Sequence, residues 1–157
     1  KRISAAVVLA SSKTAAEIGA LWSELGFEGW PAIVENGAGI LSPHGTTAHH
    51  GAQYDAVRSA LETLPSALRE CFRGFGDMTA DQLVEMTGLA LPQAKLAQQR
   101  AYSEPGQWLG TAQQQADFLA CLLERGVTAQ QGGRFLTLSF GGNKADKLLK
   151  IVLLVYG

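Results

Sequence analysis

The sequence predicts an α/β fold in which a longer α+β segment is inserted between two α/β pieces. Residues 5–10 are all apolar, as expected of a strand buried on both faces of a parallel sheet. A helical pattern and a second short apolar run follow directly. After residue 51 the pattern changes to strands mixed with two consecutive helices, which breaks the alternation of a continuous α/β sheet and predicts the insertion.

The first helix has recognisable start and stop signals. Thr14 with Glu17 three residues later is the pattern of a capping box, and Gly26 offers a left-handed end. Between them, apolar residues recur at helical spacing: Ile18, Leu21, Trp22 and Leu25. Residues 5–10 and this helix are therefore predicted to form a strand-to-helix corner.

Two hydroxyl groups and an ammonium group occupy this corner, on Ser11, Ser12 and Lys13. Ligands of open α/β sheets bind outside the carboxyl ends of the strands, and the free N–H groups of a helix start favour an anion. The corner is therefore a candidate anion site. The alternative, from these residues alone, is an ordinary N-cap beside a solvated lysine.

A second strand, over residues 31–34, is predicted to pair in parallel with the first through a right-handed crossover. Asn36 and Gly37 then form a turn at the same edge of the sheet, although Asn-Gly is also common in turns without any function. Residues 39–41 would return as an antiparallel strand. Residues 42–51 are the best linker candidate, and the histidines within them lack the spacing of a zinc site.

The middle of the chain has an antiparallel rhythm of strands and helices. Helices are predicted over residues 54–64, 79–88, 94–100 and 112–125, and from about residue 144 to the end. Strands are predicted over residues 71–75, 102–108, 127–131 and 135–140. Pro105 interrupts one of these strands, which predicts an edge strand or a bulge there.

Composition and charge argue against several classes of function. A net charge of −1 and a pI near 6.3 provide no basic surface for nucleic acid, so any anion must be met locally. No apolar run is long enough to span a bilayer, and no signal peptide precedes the first strand. Cys71 and Cys121 match no metal or redox spacing, and a cytoplasmic location is predicted.

Six stretches of the chain carry a resemblance. In chain order they are Val-Val-Leu-Ala-Ser-Ser-Lys-Thr from Val7, Ile-Val-Glu-Asn-Gly-Ala from Ile33, Phe-Arg-Gly-Phe-Gly-Asp-Met from Phe72, Tyr-Ser-Glu-Pro from Tyr102, Gly-Gly-Arg-Phe from Gly132 and Ala-Asp-Lys from Ala145. Together they resemble the mannosyl-3-phosphoglycerate phosphatases, a family of the haloacid dehalogenase-like superfamily. The resemblance runs in order along nearly the whole chain.

The resemblance implies a Rossmann-like haloacid dehalogenase core, partial in this chain, with an inserted α+β cap domain. Residues 1–45 would be a core piece with the second motif, residues 46–138 the cap, and residues 139–157 a core piece with the third motif. The implied activity is the Mg2+-dependent removal of phosphate from mannosyl-3-phosphoglycerate or a related sugar phosphate. The implied partner is a small phosphorylated sugar acid, with no nucleic acid and no membrane.

The resemblance also implies roles for residues of the core pieces. Ser11 matches the second-motif hydroxyl that hydrogen-bonds the transferring phosphoryl group, with Ser12 and Lys13 beside it. Asn36 and Gly37 match a turn that faces the same pocket. These residues would therefore contact the phosphate end of the substrate.

Further matches lie in the third motif and in the cap. Lys147 best matches the lysine that neutralises phosphate and nucleophile charge, but leucine follows it where the family usually has glycine, so Lys144 is an alternative. Arg134 and Glu104 match cap positions that would meet the carboxylate and hydroxyls of the substrate, and Arg100 is a further substrate-binding candidate. For Arg134 the alternative is a surface arginine on a strand.

Two superfamily motifs have no match in the chain. The first, Asp-x-Asp-Gly-Thr, supplies the nucleophile, the acid/base and a magnesium ligand, and the fourth completes the metal site. No acidic cluster replaces them, and no metal ligand is predicted. We therefore expect the chain to be an incomplete part of a working phosphatase. The other hypothesis is a non-catalytic module that binds a sugar phosphate without hydrolysing it.

Overall fold

The computed structural model describes residues 8–26, 29–43 and 51–142, together with residues 145, 147–149 and 151. These residues form two sheets. The first has the strand order β1-β2-β3, with β1 and β2 parallel and β3 antiparallel, as predicted. Its strands are β1 (Leu9–Ala10), β2 (Ala32–Val34) and β3 (Gly39–Leu41). The prediction of a first strand buried on both faces is wrong for its described residues, because Val8 and Leu9 are half-buried and Ala10 is exposed; residues 5–7 lie outside the described residues.

The capping box of the first helix, α1 (Ala15–Leu25), is confirmed. The Thr14 hydroxyl accepts from the Glu17 N–H at 3.1 Å, and the Glu17 carboxylate accepts from the Thr14 N–H at 2.8 Å. Gly26 ends the helix at φ 68°, in the left-handed region. The helix buries Ile18 and Trp22 against the first sheet.

The second sheet is entirely antiparallel, with the strand order β4-β5-β7-β6. The elements of this part are α2 (Ala52–Glu62), α3 (Ser66–Arg69), β4 (Phe72–Gly74), α4 (Ala80–Thr87), α5 (Leu91–Ala97), β5 (Ser103–Trp108), α6 (Ala112–Leu123), β6 (Thr128–Gln131) and β7 (Leu136–Ser139). The α+β character predicted for the middle of the chain is confirmed.

The prediction of an edge position for residues 102–108 is wrong, because β5 lies between β4 and β7. The pairing of β4 with β5 stops at Gly74 and Gly106. At Pro105, β5 is therefore paired only with β7, where Pro105 lies opposite Thr137. The sheet accommodates a proline at the point where one of its two ladders ends.

Two helices differ from the sequence pattern. The helix predicted over residues 94–100 ends earlier, with α5, and the side-chain amide of Gln98 just beyond it donates to the carbonyls of Phe75 and Met78. The short helix α3 was not predicted at all. Residues 145, 147–149 and 151 are helical, and the histidine-containing loop lies outside the described residues.

Two apolar clusters support the second sheet. One is formed by α2, α6 and the strands and includes the ring contact of Phe72 with Phe118 at 5.5 Å. The other packs α4 and α5 beneath Phe75 and Phe135, whose rings meet edge to face at 5.1 Å. Within the part of the chain that the structure describes, no helix combines the length and the hydropathy needed to cross a membrane.

Replacing Thr14 with alanine is expected to lower the free energy of unfolding by about 2 kcal/mol, against about 1 kcal/mol for the same change at Thr111. Both residues cap a helix, but Thr14 is fully buried and also donates to the Leu96 carbonyl at 3.0 Å, which ties α1 to α5. Urea unfolding of both variants measures the difference. Thr14→Ser should recover most of the loss, and equal losses for the two alanine variants would contradict the second contact.

Candidate functional site

A cleft of about 450 Å³ lies between the strand-to-helix corner of the first sheet and one end of the second sheet. Several residues singled out from the sequence line it together: Ser11, Ser12, Lys13, Asn36, Arg100 and Arg134. Residues that the sequence did not single out complete the lining, including Glu17, Phe75, Phe135 and Thr137. The cleft therefore combines hydroxyl, amide and cationic groups with aromatic surface.

Backbone hydrogen bonds fix the corner at Ser11. Its N–H donates to the Ile33 carbonyl at 2.9 Å, and its carbonyl accepts from the Asn36 N–H at 3.0 Å. Its side-chain oxygen accepts from the Lys13 N–H at 3.2 Å. Because a hydroxyl that accepts in this way keeps its own proton, Ser11 can still donate to a ligand in the cleft.

Glu17 holds the ammonium group of Lys13 at the cleft. Nζ of Lys13 lies 2.9 Å from one carboxylate oxygen of Glu17, whose other oxygen accepts from the Thr14 N–H. The Lys13 side chain is 47% exposed, whereas that of Glu17 is 9% exposed. One carboxylate thus completes the capping box and tethers a cation that remains accessible.

The turn after β2 has an uncommon backbone. Glu35, Asn36 and Gly37 all have positive φ, at 50°, 60° and 95°. Positive φ is costly for residues other than glycine and persists only where the surroundings impose it. Asn36 lines the cleft, whereas Gly37 is not part of the lining.

Arg100 is buried at the inner wall of the cleft, with 3% of its surface exposed. Its guanidinium donates to the Ser103 carbonyl at 3.1 Å and to the Ser103 hydroxyl at 2.8 Å. The Glu35 carboxylate lies 3.4 Å away. Arg100 is therefore a fixed charge whose position depends on these two residues.

Arg134 is exposed and lies beside the ring of Phe135, with 5.4 Å between the guanidinium carbon and the ring centroid. Its nitrogens make long contacts to the carbonyls of Met86 and Thr87, at 3.3 and 3.4 Å. No carboxylate pairs with it among the residues that the structure describes. Its charge is therefore available to an anionic group in the cleft.

Glu104 does not reach the cleft. Its side chain is fully buried, where it accepts from the Tyr54 hydroxyl at 2.6 Å and from the Gly76 N–H at 3.0 Å, with Arg58 at 3.6 Å. Burial raises the pKa of this carboxyl, although these contacts oppose the shift. The contact with substrate expected of Glu104 does not fit this position, and its neighbour Pro105 lines the cleft instead.

The third-motif lysines can be placed only in part. Lys147 is half-buried on the last helix, and a Cβ built on Gly142 would lie 3.3 Å from its Cε and 2.7 Å from the Gly37 carbonyl. Lys147 therefore lies close to the Asn36-Gly37 turn without lining the cleft. Lys144 lies outside the described residues.

No metal site can be assembled from the residues that the structure describes. Nowhere among them do three His, Cys, Asp or Glu side chains converge as ligands. Glu17, the acidic residue of the cleft lining, is already shared between Lys13 and Thr14. These residues do not fit a bound Mg2+, so none of them is assigned to it.

A phosphatase is among the curated proteins that are similar to this chain, whereas no known family model matches the chain. The glucosyl-3-phosphoglycerate/mannosyl-3-phosphoglycerate phosphatase of Persephonella marina is 30% identical over 165 residues. The alignment covers 96% of this chain and 60% of the relative. The chain thus spans about 60% of the length of that relative.

Solved structures show the fold. A haloacid dehalogenase-like hydrolase from B. subtilis superimposes with a TM-score of 0.54 at 16% identity, covering 96% of this chain and 67% of that one. A protein from Thermoplasma acidophilum gives a TM-score of 0.58 at 16% identity, covering 95% of this chain and 56% of that one. The resemblance found in the sequence is confirmed: the chain has the haloacid dehalogenase-like fold and is similar in sequence to a glucosyl-3-phosphoglycerate/mannosyl-3-phosphoglycerate phosphatase.

Proposed function

We propose that this chain is the greater part of a magnesium-dependent phosphatase that removes phosphate from mannosyl-3-phosphoglycerate or a related sugar phosphate. One observation carries the proposal: Ser11, Asn36 and the cationic residues Lys13, Arg100 and Arg134 line one cleft. Phosphoryl transfer depends mostly on positioning and on neutralising charge, which such a set can supply. The name of the similar phosphatase supports the substrate class.

The first sheet would bind the phosphate end of the substrate. Ser11 would donate its hydroxyl proton to a phosphoryl oxygen, with Ser12, Lys13 and the Asn36-Gly37 turn completing that side. Lys147, or Lys144 as the alternative, would neutralise charge from the last helix. Such fixed donors and cations stabilise the charge that develops during phosphoryl transfer.

The second sheet would bind the glycerate and sugar end. Arg134 carries an exposed guanidinium, whose planar fork matches a carboxylate, and the rings of Phe75 and Phe135 provide apolar surface next to it. Arg100 would act from the inner wall. We assign residues 1–45 and 139–157 to the core and residues 46–138 to the cap, which would exclude water when it covers the substrate.

The magnesium ion and the nucleophile belong to the proposal for the whole protein. None of the described residues is assigned to either. A divalent cation would supply neutralisation of phosphate charge when bound. We also propose a cytoplasmic location and a small phosphorylated sugar acid as the ligand, in keeping with the predictions from composition.

Phosphate release from mannosyl-3-phosphoglycerate by the full-length protein, with magnesium and with a chelator, tests the proposal. We expect release that requires the metal, and a lower rate for Lys147→Ala. Glucosyl-3-phosphoglycerate and simple sugar phosphates would define the specificity. If the protein bound these compounds but released no phosphate from them, the phosphatase proposal would be contradicted, and the non-catalytic sugar-phosphate-binding module would be favoured.

Replacing Arg134 with alanine is expected to raise KM for a phosphoglycerate substrate by about 10- to 100-fold, the value of one lost charge-assisted hydrogen bond. A sugar phosphate without a carboxylate should show little change, because it lacks the group that Arg134 would meet. Steady-state kinetics with both substrates measure this difference. Arg73→Ala, at an exposed arginine of β4 outside the cleft, is the matched control. A similar rise for both substrates would contradict carboxylate recognition.

A further inference from the structure

The side chain of Glu35 joins the two sheets across the inner end of the cleft. It belongs to the turn after β2, and it is fully buried. Its carboxylate accepts from the N–H groups of Ala101, Tyr102 and Ser103 at 2.9, 3.1 and 2.8 Å, and from the Ser103 hydroxyl at 2.8 Å. These partners begin the segment that leads into β5, 66 to 68 residues further along the chain.

This carboxylate has the partners that a buried charge requires. Two oxygens receive four hydrogen bonds, and the guanidinium of Arg100 lies 3.4 Å from one of them. Burying a carboxylate without such partners would be prohibitively costly. Three consecutive backbone amides thus donate to one side chain and connect the two sheets. We call Glu35 together with Ala101, Tyr102 and Ser103 the joint.

The backbone of Glu35 is hydrogen-bonded to the strand-to-helix corner, which is the side of the cleft proposed to bind phosphate. Its N–H donates to the Lys13 carbonyl at 2.9 Å, and the next N–H, of Asn36, donates to the Ser11 carbonyl at 3.0 Å. The positive φ of Glu35 and Asn36 is held from both sides by these bonds and by the buried carboxylate. Displacement of the carboxylate would therefore disturb Asn36 and Arg100, which both line the cleft.

We infer that Glu35 is a positioning residue, which sets the separation of Asn36 and Arg100 and thereby the affinity of the cleft for a phosphate-bearing ligand. The inference rests on the proposed function for its ligand class. Glu35 does not itself line the cleft, so it acts through its neighbours. No local feature of the sequence indicates this role, because every side-chain partner of Glu35 is distant along the chain.

Glu35→Gln in the full-length protein tests the inference. A carboxamide offers one acceptor oxygen and turns an NH2 group toward donors, so at least one backbone N–H of residues 101–103 loses its partner. We expect hydrogen exchange at Ala101 and Ser103 to rise by about tenfold or more while amides of α6 stay protected. KM, and the Kd of inorganic phosphate, should rise by about tenfold, with kcat changed by less than about threefold.

Glu24→Gln is the matched control, because Glu24 is an exposed carboxylate on α1 that does not line the cleft. It should leave exchange, KM and phosphate affinity as in the wild type. Ser103→Ala removes the hydroxyl that donates to Glu35 and accepts from Arg100. It should raise hydrogen exchange at Ala101, whose N–H donates to Glu35 and not to Ser103, and raise the Kd of phosphate, which keeps the test open if Glu35→Gln does not fold.

If hydrogen exchange at Ala101 and Ser103 in Glu35→Gln were as slow as in the wild type, the stabilising role of the Glu35 hydrogen bonds would be contradicted. Faster exchange with unchanged phosphate affinity would overturn the positioning of ligand-binding residues. Failure of the proposed function is distinct from both, since it would appear as a wild-type protein that binds phosphate and releases none from any sugar phosphate.

Discussion

Replacing Ser11 with alanine is expected to lower kcat/KM for the sugar phosphate by about 100-fold or more, the usual loss when one preorganised donor is removed from a charge-stabilising site. The Ser11 oxygen already accepts from the Lys13 N–H, so its proton is left for a phosphoryl oxygen. The backbone of Ser11 is held to Ile33 and Asn36, so the donor needs no reorganisation. Initial rates of phosphate release by the full-length protein measure the loss.

Two further variants separate the hydroxyl from the fold. Ser11→Thr keeps a hydroxyl and should stay within about tenfold of the wild-type rate, because only its position is perturbed. Ser23→Ala removes an exposed hydroxyl of α1 outside the cleft and should have no effect. A rate for Ser11→Ala within about threefold of the wild-type rate would contradict the role of Ser11 in binding the phosphoryl group.

Features that depend on neighbours in sequence could be predicted. The capping boxes of α1 and α4 need only residues three apart, Thr14 with Glu17 and Thr79 with Gln82, and both are present in the structure. The left-handed ends at Gly26 and Gly88 likewise follow from a single residue type. Such signals fix the helices before any tertiary contact is known.

Features that depend on distant partners could not be predicted. Pro105 indicated an edge strand, but the strand order is set by pairing with β7, whose residues lie more than 30 positions away. The helix predicted over residues 94–100 ends at Ala97, and Gln98 just beyond it donates to carbonyls of Phe75 and Met78, more than 19 residues before it. Propensity and period carry no information on such contacts.

The candidate site divides in the same way. Ser11 and Asn36 were expected to meet because the carboxyl ends of parallel strands share one edge of a sheet. Glu35, next to Asn36 in the same turn, was passed over, since its carboxylate finds partners only after residue 100. Glu104 was assigned to the substrate by resemblance, yet it is committed to Tyr54 and Gly76.

Glu104 is the centre of a buried network in the second sheet. The loop from β4 wraps around it so closely that a Cβ on Gly74 would lie 2.6 Å from its carboxylate. Arg58 lies between Glu104 and Asp77, with 2.6 Å to Asp77. Partial burial alone would raise the pKa of Asp77, but hydrogen bonds from Arg58 and Arg69 outweigh it and hold the pKa below its usual range.

This network supports one wall of the cleft. The loop that surrounds Glu104 carries Phe75, which is part of the cleft lining, and β5 continues from Glu104 to Pro105, which is another part. Loss of the carboxylate would therefore loosen the cap side of the site as well as the fold. Stability and substrate affinity should change together.

Replacing Glu104 with alanine is expected to lower the free energy of unfolding by about 3 kcal/mol or more. Arg58 would lose one of its two carboxylate neighbours, and the Tyr54 hydroxyl and the Gly76 N–H would each lose a hydrogen bond. Glu104→Gln should lose less, about 1 kcal/mol, since its carboxamide can accept from the Gly76 N–H and donate to the Tyr54 oxygen. Urea unfolding measures both losses. Glu70→Ala, at an exposed carboxylate, is the control. Equal losses for the two Glu104 variants would contradict the hydrogen-bonded network.

The difference in unfolding free energy between the wild type and Glu104→Gln is expected to depend on pH. Burial raises the pKa of Glu104 in the folded protein, so its contribution to stability is fully present below the unfolded pKa of about 4.3 and is lost as the pH rises through the folded pKa. Glu104→Gln has no such titration. The wild type should therefore lose its advantage over Glu104→Gln as the pH rises across that window, and an advantage that grows with pH would show that the carboxylate is stabilised in its charged form.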